Sequence, residues 1–282
     1  MTYRDLLLGA LTYPDATPDK AVRSGVALAR RLGGGVCMAP VRVDIPSLRS
    51  RLADALIHIE RLVEEEEGRS VAAARHIEGC ARVAADEAGV PIEVRTLTAR
   101  MYEEGSALCA AAHTRDLCLL PLGPAVLDDR ELAEAVLFGS GRPVMVYPEE
   151  VEITPGDGFD VIAIAWDGGA RAARAVADAL PLLVRAGSVR ILVVTDEKPE
   201  VGPAVADDLL RHLAAHGVSA TVDARSADGR PISRTIRNYV VEAGVGLLVM
   251  GGFGHARLRE FVLGGATAGV LEAPPCPVLM SH

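Results

Sequence analysis

Short runs of apolar residues alternate with longer amphipathic stretches along the whole chain, and this alternation limits the possible folds more than any other feature. It is typical of βα units, which build parallel sheets with helices on both faces. In the first half it predicts strands at 6–11, 36–43, 92–97, 117–122 and 143–147, with helices at 18–32, 47–88, 103–113 and 129–138. In the second half it predicts strands at 161–166, 189–195, 219–224, 246–250 and 277–280, with helices at 170–185, 204–216, 232–243 and 257–271. The sequence therefore predicts an α/β protein with two tandem, Rossmann-like domains, each built on a five-stranded parallel sheet.

Two segments of the first half have close counterparts in the second half. Residues 89–94 resemble residues 217–222, and residues 142–145 resemble residues 276–279. The stretch after Tyr147 is rich in proline, glycine and acidic residues, as linkers commonly are. We therefore predict an N-terminal domain over residues 1–148, a linker over 149–158 and a C-terminal domain over 159–282.

The formal net charge of −9 argues against partners that need a basic surface, such as bulk nucleic acid or an anionic membrane. No apolar stretch reaches the roughly 20 residues that a membrane-spanning helix requires, and the first residues do not resemble a secretory signal. The cysteines show no CxxC spacing and are expected to be reduced thiols: Cys37, Cys80, Cys109, Cys118 and Cys276. These features predict a soluble, cytoplasmic protein.

A glycine-rich segment follows the predicted strand at 246–250. Glycines at the end of a parallel strand let backbone N–H groups approach a ligand, and a helix N-terminus adds a positive partial charge. His255 and Arg257 could donate further hydrogen bonds to phosphate oxygens. Alternatively, the glycines only permit tight turns, because a single glycine cluster has low specificity.

Residues 248–267, together with the closing run 274–282, strongly resemble the C-terminal signature of the universal stress protein family. The ATP-binding pattern of that family is Gly, two residues, Gly, nine residues, then Gly followed by Ser or Thr, and Gly251, Gly254 and Gly264 have this spacing. Residues 165–169, running into 172–175, also look like the first strand and helix of the family. The resemblance covers the second half. It extends to the first half only through the order of strands and the closing Pro-Val strand, and the chain length resembles that of tandem members.

The resemblance implies that ATP, with Mg²⁺, is held by the second half. It implies that Gly251 and Gly254 contact the phosphates, with Gly264 near the triphosphate. It also implies that Asp167 lies close to the nucleoside and Val194 near the adenine. The chain departs from the pattern where Gly265 stands in place of Ser or Thr, so a hydroxyl group is missing, and Thr267 is the candidate to replace it.

The first half has no comparable loop. Prolines at positions 121 and 124 stand where donor N–H groups would be needed, and the segment before the final strand is shorter. We interpret this half as degenerate, serving packing and dimer formation. The closing strand of each half is the expected dimer face, because an unpaired edge strand can pair with another chain.

The sequence favours binding over catalysis. His212 and His216 have helical metal-ligand spacing, but no third ligand is evident, and no nucleophilic triad can be argued. We expect a stress-response protein that is not an enzyme, binds ATP or ADP and thereby changes its contacts with a protein partner. The alternatives are a nucleotide-free pseudo-dimeric scaffold, or a slow ATP hydrolase in which Asp167 is the candidate metal carboxylate.

Overall fold

The computed structural model describes residues 3–46, 53–123, 127–196, 202–252 and 265–282. The first half contains β1 (Asp5–Leu11), α1 (Asp19–Leu32), β2 (Gly35–Asp44), α2 (Ala53–Ala88), β3 (Ile92–Val94), β4 (Leu97–Arg100), α3 (Glu104–Ala112), β5 (Leu117–Leu122), α4 (Leu127–Gly139) and β6 (Val144–Pro148). The second half contains β7 (Val161–Ala165), α5 (Ala170–Leu183), β8 (Ser188–Thr195), a 3₁₀ turn (Pro203–Ala206), α6 (Asp207–Ala215), β9 (Ala220–Ser226), α7 (Ile232–Glu242), β10 (Leu247–Gly251), α8 (Gly265–Glu272) and β11 (Val278–Ser281).

All the described strands form one continuous sheet in the order β3-β2-β1-β5-β6-β11-β10-β7-β8-β9, with β4 also paired to β2. Pairing is parallel within each half, which confirms the predicted α/β class. The two halves meet where β6 and β11 pair antiparallel, with Met145 opposite Leu279. The predicted dimer face is therefore wrong, because each closing strand has neighbours on both sides within the chain and leaves no edge for a second copy.

The predicted strand at 92–97 is divided into β3 and β4, which pair with β2 in the same register: Met38 faces Val94 and Val41 faces Leu97. The interruption lies beside Pro40, which has no N–H group to donate to a neighbouring strand. A single proline thus explains why one predicted strand appears as two.

The hydrophobic core lies on both faces of the sheet and crosses between the halves. On one face, α1, α2, α5 and α6 cover buried side chains that include Leu8 of the first half and Ile164 of the second. On the other face, α3, α4, α7 and α8 cover a second set that includes Leu120 and Leu248. In the part of the chain that the structure describes, eight helices thus pack on a sheet that both halves share.

The predicted linker runs along α1. The Ser24 hydroxyl donates to the carbonyl oxygen of Val151 at 3.1 Å and accepts from the N–H of Ile153 at 3.1 Å. The Arg31 Nε donates to the carbonyl oxygen of Thr154 at 3.0 Å. These contacts fix the course of the linker against the first half. Among the described residues, no helix is both long enough and apolar enough to cross a membrane.

Candidate functional site

The carboxyl ends of β10, β7 and β8 lie side by side at one edge of the sheet. Met250, Ala165 and Leu192 face one another across these three strands. Because the strands are parallel, the residues that follow them emerge at the same edge, where ligands of parallel α/β sheets bind. Gly251, Asp167 and Val194 each lie one or two residues beyond this row, so the structure brings three predicted site residues together.

Asp167 is exposed at the start of the turn that leads into α5. Its Oδ1 accepts a hydrogen bond from the N–H of Gly169 at 2.8 Å, which fixes the carboxylate beside the carboxyl end of β7. Gly168, between them, has a φ of 75°, a conformation that favours glycine. The helix that follows begins at Ala170, so a carboxylate is held beside a positively polarised helix N-terminus.

The 3₁₀ turn packs over Trp166. The indole Nε1 donates to the carbonyl oxygen of Val205 at 2.9 Å, and the backbone N–H of Trp166 donates to Leu192 at 2.9 Å. A Cβ at Gly168 would lie 2.8 Å from Cγ2 of Val205, so the 3₁₀ turn packs closely against Gly168. Trp166 is therefore held by packing next to Asp167.

Gly251 and Gly252 are required by close packing. A Cβ at Gly251 would lie 2.6 Å from the backbone nitrogen of Ala172, in the first turn of α5. A Cβ at Gly252 would lie 2.6 Å from Cδ2 of Leu137, which belongs to the first half, and the Gly252 N–H donates to the carbonyl oxygen of Ser281 at 2.8 Å. Close packing, and not a tight turn, thus accounts for both glycines. At Gly251 the close packing also places the N-terminus of α5 next to the carboxyl end of β10.

Four predicted site residues lie outside the described residues: Gly254, His255, Arg257 and Gly264. Gly265 is the first residue of α8 and is exposed, and no atom of the described residues lies within 4 Å of the position that a Cβ would take. Thr267 is only 4% exposed. Thr267 stays the candidate to supply the hydroxyl group that the sequence lacks at position 265.

Asp196, which the sequence reasoning did not single out, also lies at this edge, directly after β8. It has a φ of 70° and accepts hydrogen bonds from the N–H groups of Ala227 and Asp228, at 2.8 and 3.0 Å, and from the Ser226 hydroxyl at 2.8 Å. The hydrogen bond from Ala227, followed by that from Ser226, lowers the pKa of the Asp196 carboxyl. The signal in the sequence is an aspartate directly after a predicted strand, the same position that Asp167 occupies.

The matching edge of the first half carries carboxylates. The N–H of Gly123, which follows β5, donates to Oδ2 of Asp129 at 2.9 Å. Burial, followed by the charges of Asp129 and Glu150, raises the pKa of Glu149 at the end of β6. Pro121 lies within β5, opposite Tyr147, and Pro124 lies outside the described residues. At Gly123 the donor that a phosphate would need is already taken by an acidic side chain.

Within the described ranges, no group of three His, Cys, Asp or Glu side chains is placed to hold a metal ion. The rings of His212 and His216 contact each other edge to face, with their centroids 4.8 Å apart.

Residues 158–282 match the sequence model of the Universal stress protein family. This similarity covers the second half of the chain, and we call residues 158–282 the universal stress protein domain after it. No curated protein sequence matches the chain.

Solved structures extend the likeness in fold to the first half. A universal stress protein from Archaeoglobus fulgidus DSM 4304 is similar over 99% of this chain and 96% of its own, with a TM-score of 0.67 and 19% sequence identity. A functionally unknown protein from Pseudomonas aeruginosa PAO1 is similar over 99% of this chain and 92% of its own, with a TM-score of 0.56 and 14% identity. At these identities the likeness concerns the fold. The first half therefore shares the arrangement of these proteins, whereas the match to the family model is confined to the universal stress protein domain.

Proposed function

We propose that the universal stress protein domain binds ATP or ADP at the edge formed by β10, β7 and β8, and that nucleotide occupancy changes its contacts with a protein partner. One observation carries this proposal. Gly251, Asp167 and Val194, the positions that the family resemblance assigns to phosphate, nucleoside and adenine, lie at the ends of three adjacent parallel strands.

The local electrostatics support an adenine nucleotide with Mg²⁺. The N-terminus of α5 lies against β10 at Gly251 and offers a positive partial charge to phosphate oxygens. The exposed Asp167 carboxylate is an oxygen ligand of the kind that Mg²⁺ takes together with nucleotide phosphates. In the proposed complex the nucleotide supplies the phosphates, and these residues position them.

The proposal assigns nucleotide binding to one half. In the first half, the Gly123 N–H is bonded to Asp129, and a bound phosphate would have to displace that carboxylate and overcome its negative charge. We therefore propose one nucleotide per chain and no catalytic role for the domain. The slow ATP hydrolase is the competing proposal, and magnesium-dependent turnover above background would favour it.

A nucleotide-free scaffold is a second candidate, favoured by the antiparallel pairing of β6 with β11. In this candidate, the pairing joins the two halves of one chain into a pseudo-dimer. A homodimer would have to use another surface, such as the outer strands β3 and β9 of the described sheet. Light scattering of the purified chain tests whether a homodimer forms.

Release of bound nucleotide separates the two candidates. The chain is purified without added nucleotide and denatured, and the supernatant is examined for ATP and ADP; calorimetric titration with ATP and Mg²⁺ follows. The proposal expects released nucleotide or a binding isotherm, and expects Gly254→Val to abolish binding by filling the space for a phosphate. Gly79→Val, at an open position of α2, is the matched control. If the chain releases no nucleotide and ATP gives no heat, the scaffold is favoured.

A further inference from the structure

The C-terminal end of α4, which belongs to the first half, lies against the edge formed by β10, β7 and β8, here called the nucleotide edge. The buried Leu137 of α4 packs on the backbone of Gly252, where a Cβ would lie 2.6 Å from its Cδ2. On its other side, Gly252 donates its N–H to the carbonyl oxygen of Ser281 at 2.8 Å. The backbone that leaves β10 is thus held between a side chain of the first half and the end of β11.

Phe138, the next residue of α4, makes a second contact with the same edge. Its ring packs edge to face on the ring of His282, with the centroids 4.6 Å apart. Nδ1 of His282 lies 3.3 Å from the carbonyl oxygen of Gly252, and the Nε of Arg171 donates to the same nitrogen at 3.0 Å. Phe138 is therefore connected, through one imidazole ring, to both β10 and α5.

Arg171 belongs to the first turn of α5, the helix whose N-terminus faces the nucleotide edge. Its Cβ would lie 2.9 Å from a Cβ at Gly251, so the helix and the end of β10 are in direct contact. Hydrogen bonds to a ligand depend on distances and angles that these contacts set. Because close-packed interiors contain few voids, a change at one side chain is transmitted to its neighbours.

We propose that the first half regulates the nucleotide edge through α4. Leu137 and Phe138 are positioning residues: they hold Gly252 and His282, and thereby the N-terminus of α5, in the arrangement that binds nucleotide. This regulation rests on the proposed function, which supplies the ligand. Because coupling between two sites is reciprocal, a nucleotide at the edge stabilises the end of α4 in return.

Truncation of Leu137 tests the contact with Gly252. Leu137→Ala opens a gap beside Gly252 and should weaken ATP binding about tenfold, within the range of coupling energies between residues in contact. Leu132→Ala removes the same atoms from a buried position of α4 that faces Gly105, and should leave ATP binding unchanged. Leu137→Met refills the gap and should restore the affinity. Calorimetric titration with ATP and Mg²⁺ gives the affinities, and urea denaturation shows that each variant is folded.

The imidazole contact is tested by combining two substitutions. His282→Ala should weaken ATP binding several-fold, and Phe138→Leu should weaken it in the parent chain. In the His282→Ala background, Phe138→Leu should have no further effect, because the ring through which Phe138 acts is gone. Independent, additive effects would contradict a connection through His282.

Two NMR measurements read the coupling from each end. In the nucleotide-free chain, Leu137→Ala should shift the amide resonances of Gly251 and Gly252, whereas Leu132→Ala should not. In the parent chain, ATP should slow hydrogen exchange at the N–H of Ser140, which closes α4.

The regulation is overturned if ATP binds the parent and the Leu137→Ala chain equally, or if Leu132→Ala weakens binding as much as Leu137→Ala does. It is also overturned if the amide resonances of Gly251 and Gly252 do not respond to Leu137→Ala. A parent chain that binds no ATP removes the proposed function instead, and these amide shifts alone then decide whether Leu137 holds the edge.

Discussion

Gly265 is the residue at which the universal stress protein domain departs from its family pattern, and the structure leaves room to restore the hydroxyl. A Cβ there would meet no atom of the described residues within 4 Å. We expect Gly265→Ser to add one hydrogen bond to a phosphate oxygen and to tighten ATP binding about fivefold, since a hydrogen bond contributes roughly 1 kcal/mol. Isothermal titration calorimetry of the variant and the parent measures this change.

Gly265→Ala is the matched control. Both substitutions remove a glycine from the first turn of α8, so both should raise the free energy of unfolding slightly, by at most about 1 kcal/mol. Only the serine carries a hydroxyl group. Equal ATP affinities for the two variants would show that position 265 does not face the nucleotide.

Tyr102 carries backbone strain that a substitution can release. Its φ of 70° is costly for a residue with a side chain, and its ring is almost fully exposed, so little packing is lost on truncation. We expect Tyr102→Gly to raise the free energy of unfolding by about 1 kcal/mol, and Tyr102→Ala to change it little, because alanine keeps the strain. Urea denaturation compares the three proteins. A glycine variant less stable than the alanine variant would contradict the strained conformation.

At the scale of the elements, the acidic groups of Glu149, Glu150 and Asp129 interact at the end of β6. The pKa of Glu149 is raised by burial and by Asp129 and Glu150, so the folded chain holds its proton more tightly than the unfolded chain does. The contribution of Glu149 to the free energy of unfolding is therefore fully present at low pH and is lost as the pH rises through the raised pKa. Glu149→Gln should stabilise the protein by a few tenths of a kcal/mol at neutral pH, allowing for solvent screening.

The gain in free energy of unfolding from Glu149→Gln should shrink as the solution is acidified, because the parent carboxyl group then becomes neutral as well. Urea denaturation of both proteins, from neutral to acidic pH, gives the difference in their free energies of unfolding. Glu152→Gln, in the linker, removes the same charge and serves as the control. An advantage that grows on acidification would contradict the direction of the shift.

The apolar runs were sufficient to predict the strands, because buried parallel strands must be apolar on both faces. They could not show that β3 and β4 are separate, since the cause lies in the neighbouring strand, at Pro40. They also could not pair β6 with β11. Each closing strand was expected to be an unpaired edge strand, and only the assembled chain shows that the two closing strands pair with each other.

The candidate site was predictable in position and only partly in detail. Asp167 and Val194 follow apolar runs, so the edge at which they lie could be inferred from the rule for parallel sheets. The reason why position 251 is a glycine could not be inferred, because it depends on the close approach of the α5 backbone. Asp196 was missed because the groups that bond to it are distant in sequence, and single acidic residues in turns are common.

At the scale of the whole molecule, one sheet and two shared cores should unfold together. Tyr3 also joins the halves, since its hydroxyl donates to the carbonyl oxygen of Asp178 at 2.5 Å and its side chain is 7% exposed. We expect Tyr3→Phe to lower the free energy of unfolding by about 1 kcal/mol, through loss of this partly buried hydrogen bond. Calorimetry should show a single transition that shifts as a whole. Two transitions, of which only one moves, would show that the halves unfold separately.

The stoichiometry of ATP binding is the most direct test of the difference between the halves. Calorimetric titration of the full chain with ATP and Mg²⁺ reports the number of sites and their location, when the parent is compared with Gly254→Val. We predict one ATP per chain and its complete loss in the variant. Two ATP molecules per chain, no binding at all, or a site that survives Gly254→Val would contradict a nucleotide site confined to the universal stress protein domain.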